Sequence, residues 1–183
     1  MHYVIRTNLD EPNLVVRATV MSMDALKGKR LTTGASFGNT FPRLELQLDQ
    51  EGEAADFFES GPLLIISDKM KDILNGLGCA VELNDVDLID VDGIPSKMAY
   101  YVVNILDSVE CLDYEHSVYE MDKDYIDQID ILVIDEEKAG NTHLLRLKNS
   151  YDNIILASEE LMKLCRGARV TGVQFVSPKD WKW

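Results

Sequence analysis

Two stretches of this chain share one pattern of apolar and polar positions. The aliphatic run Leu63-Leu64-Ile65-Ile66 leads into Ser67, and Ile154-Ile155-Leu156-Ala157 leads into Ser158. Counted from each serine, apolar residues fall at the third, sixth and seventh places (Met70, Ile73, Leu74; Leu161, Leu164, Cys165), with a glycine at the ninth (Gly76; Gly167). A short aliphatic run reads as a buried strand, and those three offsets share one helical face. The serine hydroxyl can cap the first helical N–H groups, the acids behind it (Asp68; Glu159, Glu160) suit the positive helix end, and the glycine permits a left-handed exit. Each module is thus strand, serine-capped helix and glycine stop. The runs 80–83 and 170–176 then read as returning strands.

Elsewhere the pattern favours strands. His2–Thr7 and residues 14–21 are β-rich, Leu44–Leu48 alternates apolar and polar, and 99–106 is a Tyr/Val/Ile run, with further strands at 130–135 and 144–148. Residues 27–42, rich in Gly, Thr, Ser and Asn, predict an irregular exposed loop. No linker or composition break divides the chain. The fold class is therefore α+β: a single mixed domain over residues 1–183 with a mainly antiparallel sheet and two repeated strand-Ser-helix modules.

Composition supports a folded chain, because 46% hydrophobic against 27% charged residues in 183 is ordinary for a globular protein. Cys79, Cys111 and Cys165 are odd in number and lack CxxC pairing, so reduced, buried thiols are expected. The first residues have no basic segment or apolar run of a signal peptide, and nowhere do 18 apolar residues follow one another, which predicts a soluble protein that stays in the cytoplasm.

Charge changes the picture most. Between Glu82 and Glu137 stand 17 acids against Lys97 and Lys123, so the net charge of −14 belongs to that one stretch. Val86, Leu88, Tyr100 to Val103, Ile129 and Leu132 interleave with those acids, which makes the stretch folded structure with acidic edges. A field concentrated in this way draws basic protein surface in and repels phosphate backbones and anionic lipid. A basic protein is the expected partner, with no nucleic acid and no membrane.

Candidate chemistry is sparse. Ser67 and Ser158 stand at strand-to-helix turns but not in a GxSxG elbow, so capping explains them better. Cys111 and His116, with Asp113 between, form no defined motif and read as a buried thiol and a surface imidazole. Asp85, Asp87, Asp90 and Asp92 before Gly93 lack the spacing and final glutamate of a calcium loop. Glu136 and Lys138 have the E-x-K spacing of magnesium-dependent nucleases, in which carboxylate and lysine share a strand face. That reading requires phosphate to approach a negative surface. No cofactor motif is present, so no cofactor is expected. Trp181 and Trp183 read as pins for the tail or as interface anchors.

The order of several segments resembles the immunity proteins of bacterial polymorphic toxin systems, specifically their eleventh catalogued family. The likeness runs from Asp56-Phe57 through Gly61-Pro62 to Ser67 and its helix, then Tyr100 to Leu106, Leu112-Asp113-Tyr114-Glu115-His116-Ser117-Val118-Tyr119, Leu144 to Leu147, Ile155 to Ser158, and Thr171-Gly172-Val173-Gln174-Phe175. The first 50 residues, a β-rich part, lie outside it. The resemblance implies a small, cytoplasmic, non-catalytic protein that binds and silences a cognate toxin. Joined to the charge argument, it places the partner-binding residues at Glu110, Asp113, Glu115, Glu120, Asp122, Asp124 and Asp127, with Tyr114, Tyr119 and Tyr125 as anchors. Asp113 and Ser117 could equally order a turn. The competing functions are a magnesium-dependent nuclease using Glu136 and Lys138, and a general acidic adaptor.

Overall fold

The N-terminal strand β1 (His2–Thr7) is an interior strand, not an edge, and it ties the first residues of the chain to the last. The computed structural model describes residues 1–29 and 31–182. After β1 come β2 (Leu14–Val15), β3 (Ala18–Val20), β4 (Leu44–Leu48), β5 (Glu53–Ala54) and β6 (Phe57–Ser60). The first module follows as β7 (Leu63–Ser67) and α1 (Asp68–Gly76), then β8 (Val81–Ile89), β9 (Tyr100–Ile105) and β10 (Ser108–Val109). A hairpin, β11 (Val118–Asp122) and β12 (Tyr125–Ile131), precedes the short helix α2 (Glu136–Ala139) and β13 (Leu144–Leu147). The second module is β14 (Ile155–Ser158) with α3 (Glu159–Gly167), and β15 (Val173–Val176) is the last strand.

The strands divide between two principal sheets. A six-stranded sheet runs β3-β4-β8-β9-β7-β6 and a five-stranded one β10-β13-β14-β1-β15, while β2-β5 and β11-β12 pair separately. Most ladders are antiparallel; β4-β8, β10-β13 and β2-β5 are parallel. Each principal sheet receives one strand-helix module, and α1 meets α3 where Cys165 Sγ lies 3.5 Å from Met70 Sδ. Ile5, Phe57, Leu64, Ile66, Leu144, Ile155 and Leu161 form the core between the sheets and these helices.

Alternate residues of the five-stranded sheet, Val4, Leu145, Leu147 and Leu156, project to its other face and meet Cys111, Ile126, Ile129 and Leu132. That sheet is buried on both faces, which is why 154–157 reads as a continuous apolar run and 144–147 as one broken only by the buried Arg146. The hairpin is part of its cover. A third cluster packs Val15, Val16 and Leu26 against Val20, Leu44, Leu46 and Val102 of the six-stranded sheet. Among the described residues, no helix is long and apolar enough to cross a membrane.

Three local expectations need correction. Ser158 caps α3, its Oγ accepting from Leu161 N at 3.1 Å, but Ser67 does not cap α1. Its hydroxyl donates instead to buried Asp56 Oδ1 at 2.7 Å, since a charged acceptor outcompetes a helical N–H for its orientation. Gly76 and Gly167 are the last helical residues rather than the left-handed exits. Those come two places later, at Gly78 (φ 65°) and Arg169 (φ 54°), each inside a C-terminal loop closed by Cys79 N to Leu74 O or Val170 N to Cys165 O. Finally, the strand expected at 130–135 is the end of β12 followed by a lone bridge from Ile134 to Leu112, because Leu132 and Ile134 turn into the core.

Candidate functional site

The residues singled out for partner binding gather on the hairpin and the turn before it. β11 and β12 meet at a two-residue turn, Lys123-Asp124, flanked by the pair Asp122 and Tyr125, with Lys123 in the left-handed region at φ 56°. Register shifts after Val118 and Glu120 space the buried residues Ile126 and Ile129 of β12 three apart, and these with Leu132 just beyond the strand anchor the hairpin. On its inner edge, Ile126 N donates to Asn149 O at 2.7 Å and Tyr151 N donates to Ile126 O at 3.0 Å. Beside β12 lies an open hollow of about 670 Å³ lined by Asp127, Gln128, Ile129, Asp130 and Lys182.

The ten residues have different local duties. Asp113 orders its turn: one carboxylate oxygen accepts from Glu115 N and His116 N, the other faces His116 Nδ1 at 2.9 Å, and Ser117 N donates to its carbonyl. Burial would raise its pKa, but the His116 bonds outweigh this and hold it below the ordinary carboxylate value. Tyr114 and Tyr119 sit edge to face, 5.4 Å apart, against the core, and Tyr114 Oη donates to Glu110 at 3.3 Å. They hold the hairpin down. Tyr125 is exposed and stacks at 5.1 Å on Tyr151, whose hydroxyl donates to Asp122 at 3.1 Å. Glu115, Glu120, Asp124 and Asp127 are exposed, and their carboxylates meet no donor or cation among the described residues.

Sequence reasoning missed Tyr151, Met121, Val118, Ile131 and Asp152. Tyr151 lies outside the acidic stretch, and only the fold stacks it on Tyr125. Val118, Met121 and Ile131 are about half exposed, which their apolar character hid. Asp152 Oδ2 is buried and meets no partner among the described residues. Burial and then the charge of Asp127 push the Asp152 carboxyl up to about 6.

The rest of the acidic stretch lies elsewhere and is largely used internally. Glu82, on β8, accepts from the Ser36 hydroxyl, Phe37 N, Gly38 N and Asn104 Nδ2. Burial opposes its ionisation, yet these donors bring its pKa down to about 2 and pin much of the loop at 27–42. Asp87 pairs with Arg43 at 2.6 Å, and Asp90 accepts from Asp92 N and Ile94 N to order its own turn.

The E-x-K pair is not assembled as a nuclease requires. Glu136 and Lys138 lie on a short helix rather than on one strand face, Glu136 bonds His2 Nδ1 at 2.8 Å, and Lys138 pairs with Asp135 at 3.2 Å. Cys111 is fully buried, its thiol pushed up to about 11 by burial, while His116 is exposed and paired with Asp113. His143 Nδ1 approaches Ser158 Oγ at 2.9 Å, but that oxygen is already the α3 cap and Glu160 stands 3.9 Å from the far nitrogen. Such spacing leaves the imidazole without a close third group to orient it. Among the described residues, no three His, Cys, Asp or Glu side chains come together as a metal would need. Trp181 packs on the core below the hairpin, and Trp183 lies outside the described residues.

The family described as "Immunity protein family (Imm11)" matches residues 10–180 of the 183, a span that takes in most of the first 50 residues as well as the segments of the resemblance. No curated protein matches the chain.

Proposed function

The chain belongs to the Imm11 immunity protein family, and from that premise we propose that it binds a cognate toxin in the cytoplasm and neutralises it by direct protein–protein inhibition through the acidic hairpin. The observation that carries this reading is the state of the carboxylates. Glu120, Asp124 and Asp127 stand exposed with no partner among the described residues, whereas Glu82, Asp87, Asp113 and Glu136 are committed to their own fold. Unpaired surface carboxylates keep a long-range field, which raises the encounter rate with a basic partner. Exposed Tyr125 and Tyr151 supply apolar area for affinity after encounter.

The toxin encoded beside this chain's gene is the probe. Changing Glu120, Asp124 and Asp127 together to lysine should slow association at low salt by about tenfold or more and flatten its salt dependence, with the thermal unfolding midpoint preserved. Unchanged association kinetics would remove the hairpin from the contact.

A further inference from the structure

Resting on that reading, we infer that the outer edge of β11 is the docking line itself, and that it pairs as a strand with an extended, Lys- or Arg-bearing segment of the toxin. β11 pairs as a strand with β12 alone, and none of its backbone groups finds another backbone partner among the described residues. Ile126, opposite Met121, spends its outward N–H on Asn149 O and its C=O on Tyr151 N. The corresponding groups of Met121 point the other way, to solvent, and strand alternation places those of Tyr119 beside them. An edge of this kind templates a further strand.

The other edges are poorer templates. β10 and β3 have two and three residues, β6 is almost wholly buried, and β15 exposes only Gln174. β11 is the longest of these edge strands, exposing Val118, Glu120, Met121 and Asp122. Its charge selects the occupant. The hairpin carries Glu120, Asp122, Asp124, Asp127 and Asp130 against Lys123 alone, so a second copy pairing edge to edge would oppose carboxylate to carboxylate. A basic strand would place its cations beside them and cover Val118 and Met121.

The test uses the full chain and a ten-residue peptide alternating lysine and valine, followed by hydrogen exchange of the Tyr119 and Met121 amides. Binding with at least tenfold slower exchange at those amides is expected. The same peptide N-methylated at alternate residues should lose the protection, and the glutamate–valine peptide should not bind. Equal binding by the N-methylated peptide would overturn strand pairing, as would protection of β11 that rises with the protein's own concentration alone. With the toxin as probe, capture that leaves β11 amides unprotected would overturn the edge while the inhibitor reading stands; no capture at all would count against that reading.

Discussion

Glu82 and Asp152 are both carboxylates partly withdrawn from water, yet their proton affinities move in opposite directions. Four donors from residues 36–38 and 104 bring Glu82 down to about 2, while Asp152, with a buried oxygen that meets no partner among the described residues and with Asp127 nearby, rises to about 6. The difference separates two regions. In the two-sheet body, Asp56, Glu82 and Asp87 are answered by the chain itself; around the hairpin, Glu120, Asp124, Asp127 and the buried oxygen of Asp152 meet no donor among the described residues. Charge counted along the sequence cannot distinguish these conditions, because it records carboxylates and not their donors.

The body's side of the comparison breaks most severely at Gly172. Its φ is +74°, and a Cβ there would lie 2.2 Å from Phe57 O and 2.5 Å from Ala55 Cβ, so neither backbone nor side chain has room. Gly172 also accepts from Asn8 N at 2.8 Å and donates to Glu11 at 2.9 Å, joining the N- and C-terminal parts. Gly172→Ala should therefore cost at least about 3 kcal/mol, seen as a lower urea midpoint. A loss below about 1 kcal/mol would mean that this junction yields, and that the body is no stiffer than the hairpin.

Much of the architecture was legible beforehand. β1 and β4 have the expected bounds, and both repeated modules exist, since short aliphatic runs and helical spacing act locally. Division into two sheets was not legible, because it depends on which distant strands pair. For the same reason Ser67 looked like Ser158: the buried carboxylate that recruits it, Asp56, stands just before β6 and is also bonded by the distant Thr171. At the site, the hairpin acids were found by their density. The stacking partner Tyr151 and the lone Asp152 were not, since contact across β12 brings them there.

Asp56 gives the second test. Its carboxylate accepts from Ser67 Oγ and Lys69 Nζ at 2.7 Å and from Thr171 N and Oγ1 at 3.0 Å. Burial would raise its pKa, but Lys69, Thr171 and Ser67 prevail and lower it from 3.8. An asparagine turns N–H groups toward some of those donors, so Asp56→Asn should cost about 2 kcal/mol at pH 7. A depressed folded pKa gives stability that is complete above the unfolded value and lost as pH falls through the folded one. The gap between the two proteins should accordingly narrow below about pH 4, as measured by urea melts across pH. A gap independent of pH would assign the cost to shape and not to charge.

Asp152→Asn is the smallest change expected and the sharpest for the comparison, because its sign is reversed. The folded pKa of Asp152, about 6, lies above its ordinary 3.8, so ionisation at neutral pH works against the native state. That penalty is absent below the unfolded value, grows as pH rises toward the folded one, and is complete above it. Removing the charge should stabilise the protein by about 1 kcal/mol at pH 7, a figure discounted for the group's partial exposure, and should change little at pH 4. Thermal melts at the two pH values would show it. If the substitution destabilised the protein at pH 7, Asp152 would already be satisfied by its own surroundings, and the contrast between an answered body and an unanswered hairpin would lose its most buried example.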